Sequence, residues 1–160
     1  MSHAAFIRAA TQTLVDHVDE LTALDQAIGD GDHGLNMKRG ALAIQARVPE
    51  LETKTLNDAL KTMGMTCMST IGGSSGPVFG TLLVTLAKDL PPAPGPADLA
   101  RALGTSIAAL TRLGKAEVGQ KTLLDVLDPV RRLLENAGET DGKDLLSRVR
   151  RCALDAAQAT

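Results

Sequence analysis

Ile7, Leu14, Val18 and Leu21 recur at spacings of seven, four and three, with Asp16, Asp19 and Glu20 to one side. That is the apolar stripe of an amphipathic helix over residues 3–21. The stretch from Leu24 to Gly34 then holds three Gly and three Asp, which no regular element accommodates. A second helix is predicted from His33 to Val48, stopping before Pro49 because the residue ahead of a proline is pushed away from helical angles. Thr55, with Asp58 three residues on, reads as the N-cap of a third helix running to about Thr70. Its Met63, Met65, Cys67 and Met68 make a soft apolar patch, which core packing explains more economically than ligand contact. Ile71 to Gly76 is a second glycine-rich break, and Pro77 suits the first turn of a fourth helix. That helix ends in the stiff connector Pro91-Pro92-Ala93-Pro94-Gly95-Pro96, too short to separate domains. A fifth helix is predicted over 98–113, and a third unusual loop runs from Gly114 to Lys121. Thr122 would cap a sixth helix, and Asp141-Gly142 opens a seventh, still helical in pattern at Thr160.

This order predicts an all-α fold, an antiparallel up-and-down bundle or closed barrel of about seven to eight amphipathic helices, within a single domain over residues 1–160. In an up-and-down arrangement every second loop lies at the same end. The loops after the first, third and fifth predicted helices, which are the three unusual ones, are therefore expected on one rim.

Composition agrees. The chain has 160 residues, with 23 Ala and 24 Leu against 9 Val, 5 Ile and 2 Phe, and neither Trp nor Tyr. Ala and Leu favour helices, whereas β-branched and aromatic residues favour strands. The balance of 17 Lys+Arg against 19 Asp+Glu lacks the basic stripe that nucleic acid requires, and two Phe provide no stacking platform. No apolar run approaches the ~20 residues needed to span a membrane, and MSHAAFIRAATQ lacks the compact apolar stretch of a secretory signal. Cys67 and Cys152 lie 85 positions apart in helical patterns. Buried free thiols in a reducing cytoplasm are expected, rather than a disulfide scaffold or a cysteine zinc site.

The first loop carries the sharpest chemistry. Asp25, Asp30 and Asp32 fall within eight residues, and Gly29 and Gly31 alternate with two of them. Like charges at this density repel unless a cation sits among them. Oxygen-only ligands select hard cations, and Mg²⁺ in particular takes a few carboxylates and keeps other positions for water and phosphate. An EF-hand register from Asp30 fails, because Leu35 falls where Gly is needed and Ala41 where Glu is needed. A solvated Asp-rich turn is the bland alternative. His33 either meets a phosphate or a carboxylate or simply caps the helix that begins there, while His3 and His17 read as surface residues.

The second loop, Gly72-Gly73-Ser74-Ser75-Gly76-Pro77, couples a flexible turn to a helix start and offers backbone amides and hydroxyls to an anion. Close packing of helices through small residues would also require its glycines. The third loop has Gly114 and Gly119 at Walker A spacing, but Gln120 stands where Lys is needed and no strand precedes it. Lys115 and Lys121 remain as anion partners. Carboxylates for metal and amides for phosphate on one rim point to a metal–nucleotide site. A nucleoside diphosphate of roughly −3 added to three carboxylates gives roughly −6; two Mg²⁺ reduce that to about −2, which favours two metals over one.

Three motifs then resemble a known family. Asp25 to Met37 (D-x4-D-x-D-H-G-x-N-M), Gly72 to Thr81 (G-G-S-S-G-P-x-F-G-T) and Gly114 to Thr122 (G-K-A-x-x-G-x-K-T) are similar to the nucleotide-binding L subunit of bacterial dihydroxyacetone kinase, in the family's order and across essentially the whole chain. The resemblance implies a helical barrel with the nucleotide at one rim. It implies that Asp25, Asp30 and Asp32 hold two Mg²⁺ between ADP and the protein. His33, Gly34, Leu35 and Asn36 would meet the phosphates at the start of the second predicted helix, Ser74 and Ser75 would do so from the second loop, and Gly114 and Leu123 would line the nucleoside side. Leu123 stands where Met is common, a volume-conserving exchange. It implies a phosphotransferase with no nucleophile of its own. ADP stays bound, a phosphohistidine on a partner M subunit converts it to ATP, and the ATP phosphorylates dihydroxyacetone on a partner K subunit. An ATP-dependent kinase subunit for dihydroxyacetone or a related sugar on the same scaffold is the alternative, and a homodimer is a further partner arrangement. The family's next helix and Gly-Arg-Ala-Ser-type loop do not occur before Thr160, so that C-terminal segment is expected to be missing.

Overall fold

The computed structural model describes residues 3–138 and 140–160. Among these residues it contains nine helices and no strand: α1 His3–Asp16, α2 Val18–Gln26, α3 His33–Ala46, α4 Val48–Leu51, α5 Leu56–Thr70, α6 Ser75–Asp89, α7 Pro96–Gly114, α8 Leu124–Glu135 and α9 Gly142–Gln158. The expected all-α class holds. The two additional helices have local causes. The first predicted helix breaks at His17, whose φ of −108° and ψ of 18° leave the helical region, and whose ring Nδ1 donates to the Thr13 carbonyl at 2.8 Å. The helix then resumes and runs through Asp25, so the first loop begins later than its composition suggested. Pro49 does not follow a helix ending at Val48, as expected. It sits in the first turn of the short α4, where its missing N–H costs nothing.

Other boundaries follow the side chains. Thr55 caps α5 by accepting from the Asp58 N–H at 3.1 Å, and its own hydroxyl donates to the Asp58 carboxylate. Asp141 caps α9 by accepting from the Lys143 and Asp144 amides. Thr122 does not cap α8, because the flanking residue is Leu123. Thr122 Oγ1 instead accepts from the Leu124 N–H at 3.2 Å.

The chain forms two compact units, Met1–Val84 and Thr85–Thr160. In the first unit α3 packs against α1, α2 and α5. Ile7, Met37, Ile44, Val48, Leu51, Cys67 and Ile71 form its core, with Leu14, Leu21 and Met63 packed around them. Burial pushes the Cys67 thiol upward from its ordinary pKa, as a core cysteine requires. The methionine patch divides: Met63 joins the core, while Met65 and Met68 are exposed. In the second unit α8 packs against both α7 and α9, through Ala100, Val130 and Leu134 with Leu103, Leu145 and Val149 around them. Cys152 is half-buried there rather than fully buried, because α9 places no residue wholly inside.

Candidate metal and phosphate site

The site in the first unit is built by one close crossing. A Cβ at Gly34 would overlap the Thr22 hydroxyl and the Val18 carbonyl, so α2 and α3 meet backbone to backbone at that point. The crossing sets Asp25, on the last turn of α2, against the first turn of α3. There the Asp25 carboxylate accepts from the His33 N–H at 3.2 Å. The intervening turn folds back through Gly31, whose φ of 77° is the left-handed conformation that glycine adopts without penalty. Asp30 accepts from the Asp32 N–H within this turn. Asp32 occupies the N-cap position of α3 but makes no side-chain cap bond, so its carboxylate faces the same space as the other two.

As a result Asp25, Asp30 and Asp32 each offer a carboxylate oxygen within 4.8 Å of the others. Asp25 is half-buried, and Asp30 and Asp32 are exposed. Among the described residues none of the three forms an ion pair with Lys or Arg. Three hard oxygens beside a helix N-terminus, with no protein cation among them, fit a small divalent cation with open positions for an anionic ligand.

The second loop adjoins this cluster. Ser75 Oγ lies 3.2 Å from His33 Nδ1, tying the start of α6 to the start of α3. His33 is therefore the first residue of α3 and a link between the two loops, not its cap. Asn36 is buried one turn into α3, where a Cβ on Gly72 would lie 2.8 Å from its Oδ1 and 3.2 Å from its Nδ2. The glycines of the Gly72–Thr81 motif divide by role. Gly76 and Gly80 are crowded by Ile71, Met68 and Gly64, the packing explanation, whereas Gly73 has a φ of 63° and nothing near its missing Cβ. Ser74 is exposed at the loop tip, and its carbonyl accepts from the Val78 N–H. Leu35 is exposed on the first turn of α3.

The third loop belongs to the second unit. Gly114 ends α7 with open space around it, and Leu123 precedes α8, half-buried. Lys115 and Lys121 hold left-handed φ values of 51° and 58°, unusual for residues with a side chain. Asp125, which the sequence reading did not single out, organises this loop. Its carboxylate accepts from the Thr122 N–H at 2.7 Å and from the Gly119 N–H. Those two amides, Thr122 foremost, hold the Asp125 carboxyl below the usual carboxylate range. The signal was present as Thr122-Leu123-Leu124-Asp125, a threonine followed three residues later by an acid. Because the folded pKa is depressed, this contribution is present above the ordinary pKa of about 3.9 and is lost as pH falls through the lower folded value. Asp125→Ala is expected to raise the exchange rates of the Gly119 and Thr122 amides about tenfold at neutral pH, as read by hydrogen exchange. Unchanged rates would show that the loop is held by something else.

Comparison with known proteins bears on what this arrangement serves. The model of the DAK2 domain matches residues 27–160. The chain belongs to the DAK2 domain family. Its relatives include the ADP-binding subunit DhaL of PEP-dependent dihydroxyacetone kinase 1 from Listeria innocua, 39% identical over 122 residues, covering 76% of this chain and 62% of that one. The DhaL subunit of Escherichia coli is 38% identical over 121 residues, covering 74% and 58%. The DAK2 domain described here thus spans about three-fifths of the length of these relatives. Among solved structures, the dihydroxyacetone kinase from C. freundii in complex with AMP-PNP and Mg²⁺ superposes with a TM-score of 0.79 at 27% identity, covering 98% of this chain and 27% of that one. The expected resemblance to the L subunit of bacterial dihydroxyacetone kinase therefore holds. Among the described residues, no helix is long and apolar enough to cross a membrane.

Proposed function

We propose that this chain is the ADP-binding subunit of a phosphotransferase-system-dependent dihydroxyacetone kinase, acting in the cytoplasm as one nucleotide-binding domain. Phosphate would pass from a phosphohistidine on an M subunit to bound ADP, and from the resulting ATP to dihydroxyacetone on a K subunit. The observation that carries this reading is the convergence of Asp25, Asp30 and Asp32 on the first turn of α3, with Ser75 and Gly72 beside it. The relatives named ADP-binding subunits and the kinase solved with AMP-PNP and Mg²⁺ support it.

On this reading Asp25, Asp30 and Asp32 would hold magnesium, two ions by the charge count above. Bound there, magnesium would neutralise phosphate charge and bridge the carboxylates to the nucleotide. The chain's own groups do the rest by positioning. Backbone amides of Gly34 and Leu35 at the start of α3 would face developing negative charge with the positive end of the helix behind them, while the His33 amide holds Asp25 and leaves its ring to meet the phosphates. Asn36 and the Ser74 and Ser75 hydroxyls add donors, and Gly114 and Leu123 would line the nucleoside. Phosphoryl transfer requires placement and charge stabilisation rather than a protein nucleophile.

The C. freundii kinase was solved with an ATP analogue, which favours a second reading, an ATP-dependent kinase subunit on the same scaffold. Mass spectrometry of the small molecules released when the purified, dialysed protein is denatured separates the two. ADP near one equivalent, retained through dialysis against ATP, is the expected result. Ready exchange for ATP would support the second reading, and failure to bind any nucleotide would overturn both.

A further inference from the structure

We infer that Arg39 is a positioning residue of the phosphate site, fixing the side-chain amide of Asn36 so that its Nδ2 is the group left to meet phosphate. The inference rests on the reading of Asn36 as a nucleotide contact. Arg39 lies one turn after Asn36 on α3, and its Nη1 donates to Asn36 Oδ1 at 3.2 Å. A guanidinium has only donors, so it selects the oxygen of the amide and turns away the NH₂. Among the described residues the Asn36 side chain bonds Arg39 through Oδ1, and no buried side-chain nitrogen lacks a partner, so Nδ2, beside Gly72, is the edge of the amide left open to a ligand. Arg39 itself is exposed and, among the described residues, forms no ion pair. Its charge is therefore not neutralised by a neighbouring carboxylate.

The physical consequence concerns sign. An amide that presents NH₂ stabilises a phosphate oxygen, whereas the same amide rotated by half a turn presents a carbonyl and repels it. Without Arg39 the two orientations become nearly equivalent, and the site loses its preference for the anion. An exposed arginine that merely decorated α3 would make no such difference.

A double-mutant cycle on the full chain tests this, with ADP titrated calorimetrically in the presence of Mg²⁺ and melting temperatures recorded alongside. Arg39→Ala is expected to weaken ADP about tenfold with little change in melting temperature, and Arg39→Lys, which still donates, to restore affinity to within about threefold. Asn36→Ala is expected to weaken ADP at least tenfold, and adding Arg39→Ala to it to produce no further loss. Asn36→Asp, which preserves shape while removing the NH₂, provides a folded control and is expected to weaken ADP as well. Independent, additive losses would overturn the inference while leaving Asn36 in the phosphate site, as would an unaffected Arg39→Ala. Full ADP affinity in both Asn36 variants would overturn the reading of Asn36 itself.

Discussion

Replacing Asp30 by Asn is expected to weaken Mg–ADP binding at least about a hundredfold while leaving the metal-free protein as stable as before or slightly more so. The opposite signs follow from one geometry. Asp25, Asp30 and Asp32 bring carboxylate oxygens within 4.8 Å of one another. At that separation each like-charged pair costs about 1 kcal/mol in water and about 3.5 kcal/mol at an effective dielectric of 20. Asp30 and Asp32 are exposed, so the lower figure applies. Removing one charge relieves two such repulsions in the empty site, which before salt screening caps the rise in melting temperature at about 4–8 °C. A divalent ion about 2 Å from each oxygen reverses the sign and multiplies the energy several-fold. A loss of about 2.7 kcal/mol, the hundredfold expected, is therefore a conservative figure. Asn retains an oxygen able to accept from the Asp32 amide, so the turn itself survives. Calorimetric titration and thermal unfolding of the same sample check both halves. A lower melting temperature with unchanged ADP affinity would mean that the aspartates serve only the fold.

Gly34→Ala is expected to cost about 3 kcal/mol of stability and to abolish Mg–ADP binding together with it. The added methyl would overlap the Val18 carbonyl and the Thr22 hydroxyl and approach the Thr22 amide to 2.9 Å. Two of these obstacles are backbone atoms of α2, so no rotamer change relieves them, and the helices must separate. Overpacking of this kind costs about 1–3 kcal/mol and occasionally more, here placed at the upper end. For a chain of this size that is a fall of about 6–12 °C in melting temperature. Separation also draws Asp25 away from the His33 amide, so the carboxylate cluster opens. Gly114→Ala, where an added Cβ meets nothing, is the contrasting case and is expected to shift the melting temperature by less than about 3 °C. Equal effects of the two substitutions would show that the α2–α3 crossing carries no special constraint.

Much of this was legible in the sequence because it is local. Helix periodicity identified the long elements, and Thr55 with Asp58 marked the start of α5. The acidic loop was visible because three Asp and two Gly within eight residues have no place inside a helix. What escaped depends on particular side-chain contacts that periodicity does not show, some local and some between distant positions. Nothing at His17 announces a break, since it follows from a ring that competes for the Thr13 carbonyl. The sequence presents Gly34 as a phosphate contact, but not its close approach to Val18 and Thr22. The sequence leaves His33 open between a phosphate or carboxylate partner and a cap, and Ser75, 42 positions later, draws its ring across to the second loop. Asp125 is marked in the sequence only as the acid three residues after Thr122, and its bond to Gly119 farther back in the loop leaves no pattern to read.

Diffraction from crystals grown with Mn²⁺ and ADP, with anomalous data collected at the manganese edge, reaches the centre of this account. It should show manganese bounded by oxygens of Asp25, Asp30 and Asp32, with the diphosphate against the first turn of α3 and the turn at Gly72–Ser75. Manganese bound elsewhere, or ADP seated with no metal at these three aspartates, would contradict it.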